Sequence, residues 1–163
     1  MAGVTDDEER YAYLAEGNAK QARKRVAADL LIRDEAGRIL LVNPTYKEDW
    51  DLPGGMAESN EPPRKASERE LAEELGLAVA AGRILVLDWV GPHGPWDDQL
   101  VFIFDGGTLR PEQAAAIQIS DPEISEFAFV ELVEARARLR PDMAQRLTRA
   151  YDALATGTMD YSE

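Results

Sequence analysis

Residues 55–77 read GMAESNEPPRKASERELAEELGL. From Pro62 to Leu75 the composition is strongly helix-forming, and Gly76 fits the position just past a helix end, where a left-handed backbone is needed. At 100° per residue, Glu70, Glu73 and Glu74 fall within an arc of about 100° on one face. Leu71 and Leu75 flank that arc and can pack on a sheet. Arg69, four residues before Glu73, can pair with it and hold its carboxylate in place.

On a solvated face such a glutamate stripe costs only about 0.2–0.5 kcal/mol per like-charged pair and need not signify anything. Against a cleft the balance changes. At about 6 Å and an effective dielectric near 20, each carboxylate pair repels by roughly 2–3 kcal/mol. Three such groups then take up protons or bind a cation, and their hard oxygens suit Mg²⁺ or Mn²⁺. The flanks favour the second reading. Leu52-Pro53-Gly54-Gly55 places a glycine turn ahead of the helix, where backbone can approach a metal or phosphate closely. Glu61 lies near the helix start, where the dipole favours a carboxylate as a cap.

Here the chain resembles the Nudix family. The family pattern is Gly, five residues, Glu, seven residues, Arg-Glu, an aliphatic, any residue, Glu-Glu, any residue, Gly, an aliphatic. Gly55, Glu61, Arg69, Glu70, Leu71, Glu73, Glu74, Gly76 and Leu77 supply it without departure. With average residue frequencies, a match of this kind arises by chance on the order of once in ten million chains of this length. The resemblance implies an α/β fold, an α/β/α sandwich with a mixed sheet flanked by helices. It also implies a hydrolase acting on phosphoric anhydride bonds, with Mg²⁺ (or Mn²⁺) as cofactor. Carried over residue by residue, Glu70, Glu73 and Glu74 would ligate the metal, with the Gly54 carbonyl as a further ligand. Arg69 would orient the glutamates, and Glu73 and Glu74 are catalytic candidates, Glu74 as general base. Outside the motif, Asp97, Asp98, Glu123 and Glu126 are further carboxylates open to either role.

Outward from the motif, residues 6–24 read as a polar helix with a thin stripe of Tyr11 and Leu14. Val26–Ile32 and Ile39–Val42 flank the turn signal Asp34-Glu35-Ala36-Gly37 and read as a hairpin. Trp50-Asp51-Leu52 is a further short strand, broken by Pro53-Gly54-Gly55. Ile84–Val90 and Leu100–Phe104 are strand-like around the loop 91–98. Phe127–Val130 is another strand, and the tail after Leu132 forms closing helices around Pro141. Residues 1–24 are therefore expected to be an N-terminal helical extension, and 25–163 a single domain.

The whole chain of 163 residues is large enough for one proper core. It has no cysteine, which excludes disulfides and thiolate chemistry and fits a reducing cytoplasm. The acidic, polar opening Met1–Arg10 lacks the features of a secretory signal, and no apolar run has the length of a membrane span. A net charge of −13 repels a phosphate backbone, so long nucleic acid and a decapping role are disfavoured. A small phosphorylated, nucleotide-like substrate is not disfavoured, because bound divalent cations reverse the local field.

Substrate-binding candidates lie outside the motif. His93, the one histidine, and Trp96 sit on the loop 91–98 and are suited to phosphate contact and base stacking respectively. Arg38, with Arg33, Lys47, Arg64 and Lys65, is available for terminal phosphates. The expected substrate is a nucleoside diphosphate linked to another group, or a nucleoside triphosphate. The competing reading is a non-catalytic ligand sensor on the same fold, although sensors commonly carry a degraded motif. An isopentenyl diphosphate isomerase, in its familiar version, needs a cysteine that this chain lacks. A homodimer is in keeping with family habit.

Overall fold

The computed structural model describes residues 5–163; residues 1–4 of the expected extension lie outside the described residues. Strand β1 (Arg25–Arg33) is the hub of the sheet. Its alternation sends Ala28, Leu30 and Ile32 into one buried cluster and Leu31 into another, so both faces are covered. Strand β2 (Ile39–Pro44) repeats this, with Leu40 and Val42 on the first side and Ile39 and Leu41 on the second. The remaining strands are β3 (Gly54–Met56), β4 (Ile84–Val90), β5 (Gln99–Thr108), β6 (Ile124–Val130) and β7 (Asp160–Ser162). They make a mixed sheet of order β6-β2-β1-β5-β4-β7, with β3 also paired to β1. β1 runs parallel to β5 from Arg25↔Gln99 to Leu31↔Asp105, and antiparallel to β3 from Ala27↔Met56 to Asp29↔Gly54.

Helix α2 (Pro63–Leu75) covers one face, burying Ala66, Leu71 and Leu75 in the cluster that holds Leu30 and Leu40. Each fully buried leucine contributes roughly 1.5–3 kcal/mol. Helices α4 (Leu132–Arg138) and α5 (Pro141–Thr156) cover the other face, with Ala135, Met143, Leu147 and Ala150 in the cluster of Leu31, Ile39 and Ile103. This is the α/β architecture expected, a mixed sheet flanked by helices. Helix α1 (Asp6–Ala19) precedes it and has no buried residue; a short helix, α3 (Pro111–Ala115), lies between β5 and β6. Among the described residues no helix is long and apolar enough to cross a membrane.

Several local expectations are corrected. Gly54-Gly55 does not merely break a strand; it forms β3 itself, beside the middle of β1. Trp50–Asp51 makes isolated bridges to Leu139 and Val42 rather than a strand of its own. Glu61 does not cap α2: the cap position is Pro62, with no side-chain cap bond, and Pro63 begins the helix. At the other end Gly76 adopts φ 66° and returns its N–H to the Ala72 carbonyl, the left-handed ending expected of it. The N-terminal helix stops at Ala19 rather than at residue 24.

Candidate functional site

Two glycines fuse β3 to its neighbours. A Cβ on Gly54 would lie 2.4 Å from the Ala28 carbonyl oxygen and 2.5 Å from an Asp29 carboxylate oxygen, at a φ of +149° that side chains rarely adopt. A Cβ on Gly55 would lie 2.6 Å from the Glu70 carboxyl carbon. The first glycine thus lets backbone meet backbone, whereas the second makes room for a carboxylate. One helical turn after Glu70, Glu74 accepts a 3.4 Å hydrogen bond from the Gly54 N–H. Two carboxylates of α2 therefore reach the same short strand.

Arg69 organises the rest. Its Nε and Nη2 donate to the two Glu61 oxygens at 2.8 and 3.0 Å, a fork that only a guanidinium supplies. Its Nη1 donates to Glu70 at 2.9 Å and to Glu73 at 3.2 Å, and Nη2 also reaches the Met56 carbonyl at 3.2 Å. Glu61 in turn accepts the Glu58 N–H at 2.9 Å. These hydrogen bonds, Arg69 first, pull the Glu61 carboxyl down to about 2. Glu73 keeps its side chain 54% exposed. Glu70 and Glu73 are drawn to Arg69 while Glu74 turns to Gly54. Among the described residues no group of three ligating side chains stands ready-made around one point.

Glu74 is only 8% exposed. Burial pushes its carboxyl up to about 8; the Gly54 N–H opposes this, and the nearby charges of Glu70, Asp29 and Asp121 reinforce it. Burial also raises Glu70, against the pull of Arg69. Asp121 reaches this neighbourhood because the segment before β6 is tied to the end of α2. Ser120 donates its hydroxyl to the Glu73 carbonyl at 2.6 Å and its N–H to the Glu74 carbonyl at 3.2 Å.

Beside Glu74 opens a cavity of about 220 Å³. Its lining includes Ala27 and Asp29 of β1, Val101 of β5, Gly54 to Met56, and the charged residues Lys47, Asp51, Arg140 and Arg146. Asp29 is 8% exposed, and burial, with Asp51 nearby, pushes its carboxyl well above the ordinary carboxylate range. The cations are already partnered: Lys47 with Asp51, Arg140 with Asp142 at 3.2 Å, and Arg146 with Asp88 at 2.8 Å and Asp142 at 3.0 Å.

With this geometry in view, the comparisons with known proteins decide the family. A family model described as NUDIX domain matches residues 23–153, most of the chain. This chain belongs to the NUDIX family. Diphosphoinositol polyphosphate phosphohydrolase 2 of Rattus norvegicus is 38% identical over 68 residues, 40% of this chain and 38% of that protein. An RNA pyrophosphohydrolase of Halorhodospira halophila is 36% identical over 56 residues, 34% of this chain and 31% of that protein. The matches thus span about a third of the length of these curated relatives. Among solved structures, a UDP-X diphosphatase superposes with a TM-score of 0.72 at 18% identity, over 98% of this chain and 76% of that one. The NUDIX domain of Shewanella oneidensis NrtR, complexed with ADP ribose, gives 0.66 at 21% identity, over 88% of this chain and 97% of that one. These two likenesses are of fold.

Of the Nudix motif residues Gly55 and Glu74 line the cavity, with Glu70 against Gly55, and so does Lys47, one of the cations considered for terminal phosphates; Arg38, His93 and Trp96 lie elsewhere. Arg38 pairs with Asp34 through Nε at 2.7 Å and borders a shallow pocket with Leu109 and Phe129. His93 and Trp96 exchange backbone hydrogen bonds of 3.0 and 2.9 Å at the tip of the β4–β5 hairpin, and Trp96 packs under the Arg25 guanidinium at 4.7 Å. None of the three lines the cavity. Asp98 is held by Lys24 and by the Trp89 indole N–H at 2.8 Å, and Glu126 by Asn43 at 3.1 Å. Asp29, Asp51, Arg140 and Arg146 had escaped notice in the sequence. Asp29 alone carried a signal, a carboxylate in the centre of the apolar strand RVAADLLIR, where the local pattern is broken without a structural reason.

Proposed function

We propose that this chain is a divalent-metal-dependent pyrophosphohydrolase. It would cleave a phosphoric anhydride bond in a nucleoside diphosphate linked to another group, or in a nucleoside triphosphate. The observation that carries the reading is the meeting of Glu70 and Glu74 with the Gly54-Gly55 strand at the rim of the cavity. Full-length family motif and named pyrophosphohydrolase relatives support it.

The donor set suits a hard cation. The charge of half-buried Glu70 acts on buried Glu74, and Gly55 leaves Glu70 the space a side chain would take. In this reading Glu70, Glu73 and Glu74 hold Mg²⁺ or Mn²⁺, with the Gly54 carbonyl as a further oxygen. Such an ion, when bound, neutralises diphosphate oxygens and acidifies a coordinated water. Arg69 positions Glu70 and Glu73 and is itself fixed by Glu61. Glu74 accepts a proton from the attacking water; the new P–O bond forms as the bridging P–O bond breaks and its electron pair leaves with the departing phosphate.

The test is release of phosphate or nucleoside monophosphate from a panel of nucleoside diphosphate derivatives and triphosphates, with Mg²⁺, with Mn²⁺ and with chelator, beside Glu74→Gln. Metal-dependent turnover that falls on the order of a hundredfold or more in the variant is the expected result. Binding of these compounds without any turnover would replace the hydrolase by a ligand sensor on the same fold.

A further inference from the structure

The two faces of the sheet are not equally covered. On the side of α5, strands β4 and β5 are sealed: Val86, Asp88, Val101 and Ile103 are all buried. On the other side α2 lies over β1 and β3. There Leu87 stands beside Phe102 of β5 and Tyr161 of β7, and Trp89 stands beside Leu100. Cross-strand partners project to the same side, and Phe102, packed against the α2 cluster, identifies that side. Among the described residues, Leu87, Trp89, Leu100 and Tyr161 belong to neither buried cluster. Trp89 is 38% and Tyr161 55% exposed. Three neighbouring strands thus present an apolar face that is left partly open.

The polar atoms of this face are already used within the chain. The Trp89 indole N–H donates to Asp98 at 2.8 Å, and the Tyr161 hydroxyl donates to Glu163 at 3.0 Å. Gly91 backs the indole, since a Cβ on it would lie 3.5 Å from the ring. Trp89 is therefore held in place and offers a partner only its apolar surface, as a rigid interface anchor does.

Charge narrows the partner. Leu87, Trp89, Leu100, Phe102 and Tyr161 form an uncharged patch on a chain of net charge −13. Two carboxylates touch its rim, Asp98, which Lys24 neutralises, and Glu163. A basic partner is drawn to carboxylates, which this face lacks. A partner as acidic as the chain itself is repelled wherever those charges lie and can approach only where they are missing. A second copy is such a partner, and it brings the same apolar patch with it.

We infer that two copies of this chain associate face to face through β4, β5 and β7, with Trp89 as an anchor on each side. The patch is three strands wide, about 15 Å, which is less than an interface burying ~800 Å² per partner needs. The association is therefore reversible and of modest affinity. It is independent of the reaction proposed above.

Sedimentation velocity on the full chain, from about 1 μM to about 500 μM, reads this equilibrium at low salt and at about 0.5 M salt. A monomer–dimer equilibrium that tightens at the higher salt is expected, because screening removes the mutual repulsion of two acidic molecules. Trp89→Glu should raise the dissociation constant about tenfold or more, and Tyr161→Glu should act in the same direction. Thermal melts establish that both variants are folded. Mixing Trp89→Glu with Trp89→Lys should restore a dimer containing one of each, since opposite charges then meet across the interface. A chain that stays monomeric at every concentration and salt overturns the inference. So does a dimer that both glutamate variants leave intact, which would use another surface. Absence of the mixed dimer overturns it as well, because the loss in the single variants would then not be one of contact between the two faces.

Discussion

Arg69 grips Glu61 through two parallel contacts, Nε to Oε1 at 2.8 Å and Nη2 to Oε2 at 3.0 Å, and with Nη1 reaches Glu70 and Glu73. One planar cation thereby links the loop before α2 to two carboxylates on the helix. Lysine offers a compact point charge and cannot make the fork. We therefore expect Arg69→Ala to lower kcat/KM and metal affinity by on the order of tenfold to a hundredfold, as removal of a group that orients ligands does. Arg69→Lys should recover only part of this. Steady-state kinetics with a Mg²⁺ titration checks it, and wild-type metal affinity in Arg69→Ala would remove the positioning role.

Glu74 should make the apoprotein less stable as pH rises. Its folded carboxyl is raised to about 8 from an ordinary 4.5, so between these pH values the unfolded chain gives up a proton that the folded chain keeps. The unfolded state then binds fewer protons, and stability falls with pH across that window, by at most about 1.4 kcal/mol per pH unit. Below pH 4.5 the contribution is fully present, and above about 8 it is gone. In chelator, melting temperatures of Glu74→Gln should decline less over this range and exceed those of the unmodified chain at pH 8. Added Mg²⁺ should raise the melting temperature of the unmodified chain most at the alkaline end. Parallel pH profiles for the two proteins would refute the burial argument.

Gly54 and Gly55 are adjacent yet should fail in different ways. Alanine at Gly54 drives a methyl group into the backbone of Ala28 and Asp29 in a region of φ that alanine avoids, so the fold should lose on the order of 2–4 kcal/mol. Alanine at Gly55 meets the end of the Glu70 side chain, which can swing away. Its melting temperature should stay near that of the unmodified chain while turnover drops about tenfold or more, since Glu70 leaves its place. Thermal melts alongside kinetics separate the two, and equal effects on stability would refute the distinction.

How far the sequence revealed this molecule depends on what each residue must satisfy. Leu71 and Leu75 followed from helical periodicity and Val26–Ile32 from its apolar run beside a turn signal, because burying apolar side chains is a local demand that the sequence has to meet. The glutamates and Arg69 were legible from their fixed spacing on one helix. By contrast β3 was hidden, since Gly54-Gly55 is a turn signal locally and becomes a strand only because β1 offers it an edge. The cavity was hidden for the same reason. Asp29, Lys47 and Arg140 are separated widely in sequence, and nothing local marks their convergence. Arg38, His93 and Trp96 were chosen from residue chemistry alone, which says what a side chain can bind but not which cavity it faces.

Asp88 is the buried partner of two arginines, with Arg146 Nε at 2.8 Å and Arg149 Nη2 at 2.8 Å. Arg149 also contacts Asp160, so the cluster ties α5 to β4 and β7. Removing one member of a buried ion pair leaves a desolvated charge and costs about 3–5 kcal/mol. Asp88→Ala should therefore lower the melting temperature by on the order of 10 °C. The double variant Asp88→Leu with Arg146→Met should recover part of that loss, because the more deeply buried of the two arginine charges is removed as well and Arg149 keeps its pair with Asp160. A single variant that melts with the unmodified chain would show that water reaches the pair.

Helix α1 raises the opposite expectation. Thr5 and Glu8 close a reciprocal cap at its start, with the Thr5 N–H donating to Glu8 at 2.8 Å, and Lys20 pairs with Glu16 at 2.6 Å near its end. Yet none of its residues is buried, and Tyr11 and Tyr13 are each 76% exposed. A helix of this length gains little in water from local terms alone. We propose that residues 1–19 are an extension that adds nothing to the domain's stability. Their deletion should leave the melting temperature within about 2 °C and kcat/KM unchanged, as surface changes remote from buried contacts do. A larger fall that grows as the protein is diluted would instead mean that α1 packs on a second copy of the chain, since only an intermolecular contact makes stability depend on concentration.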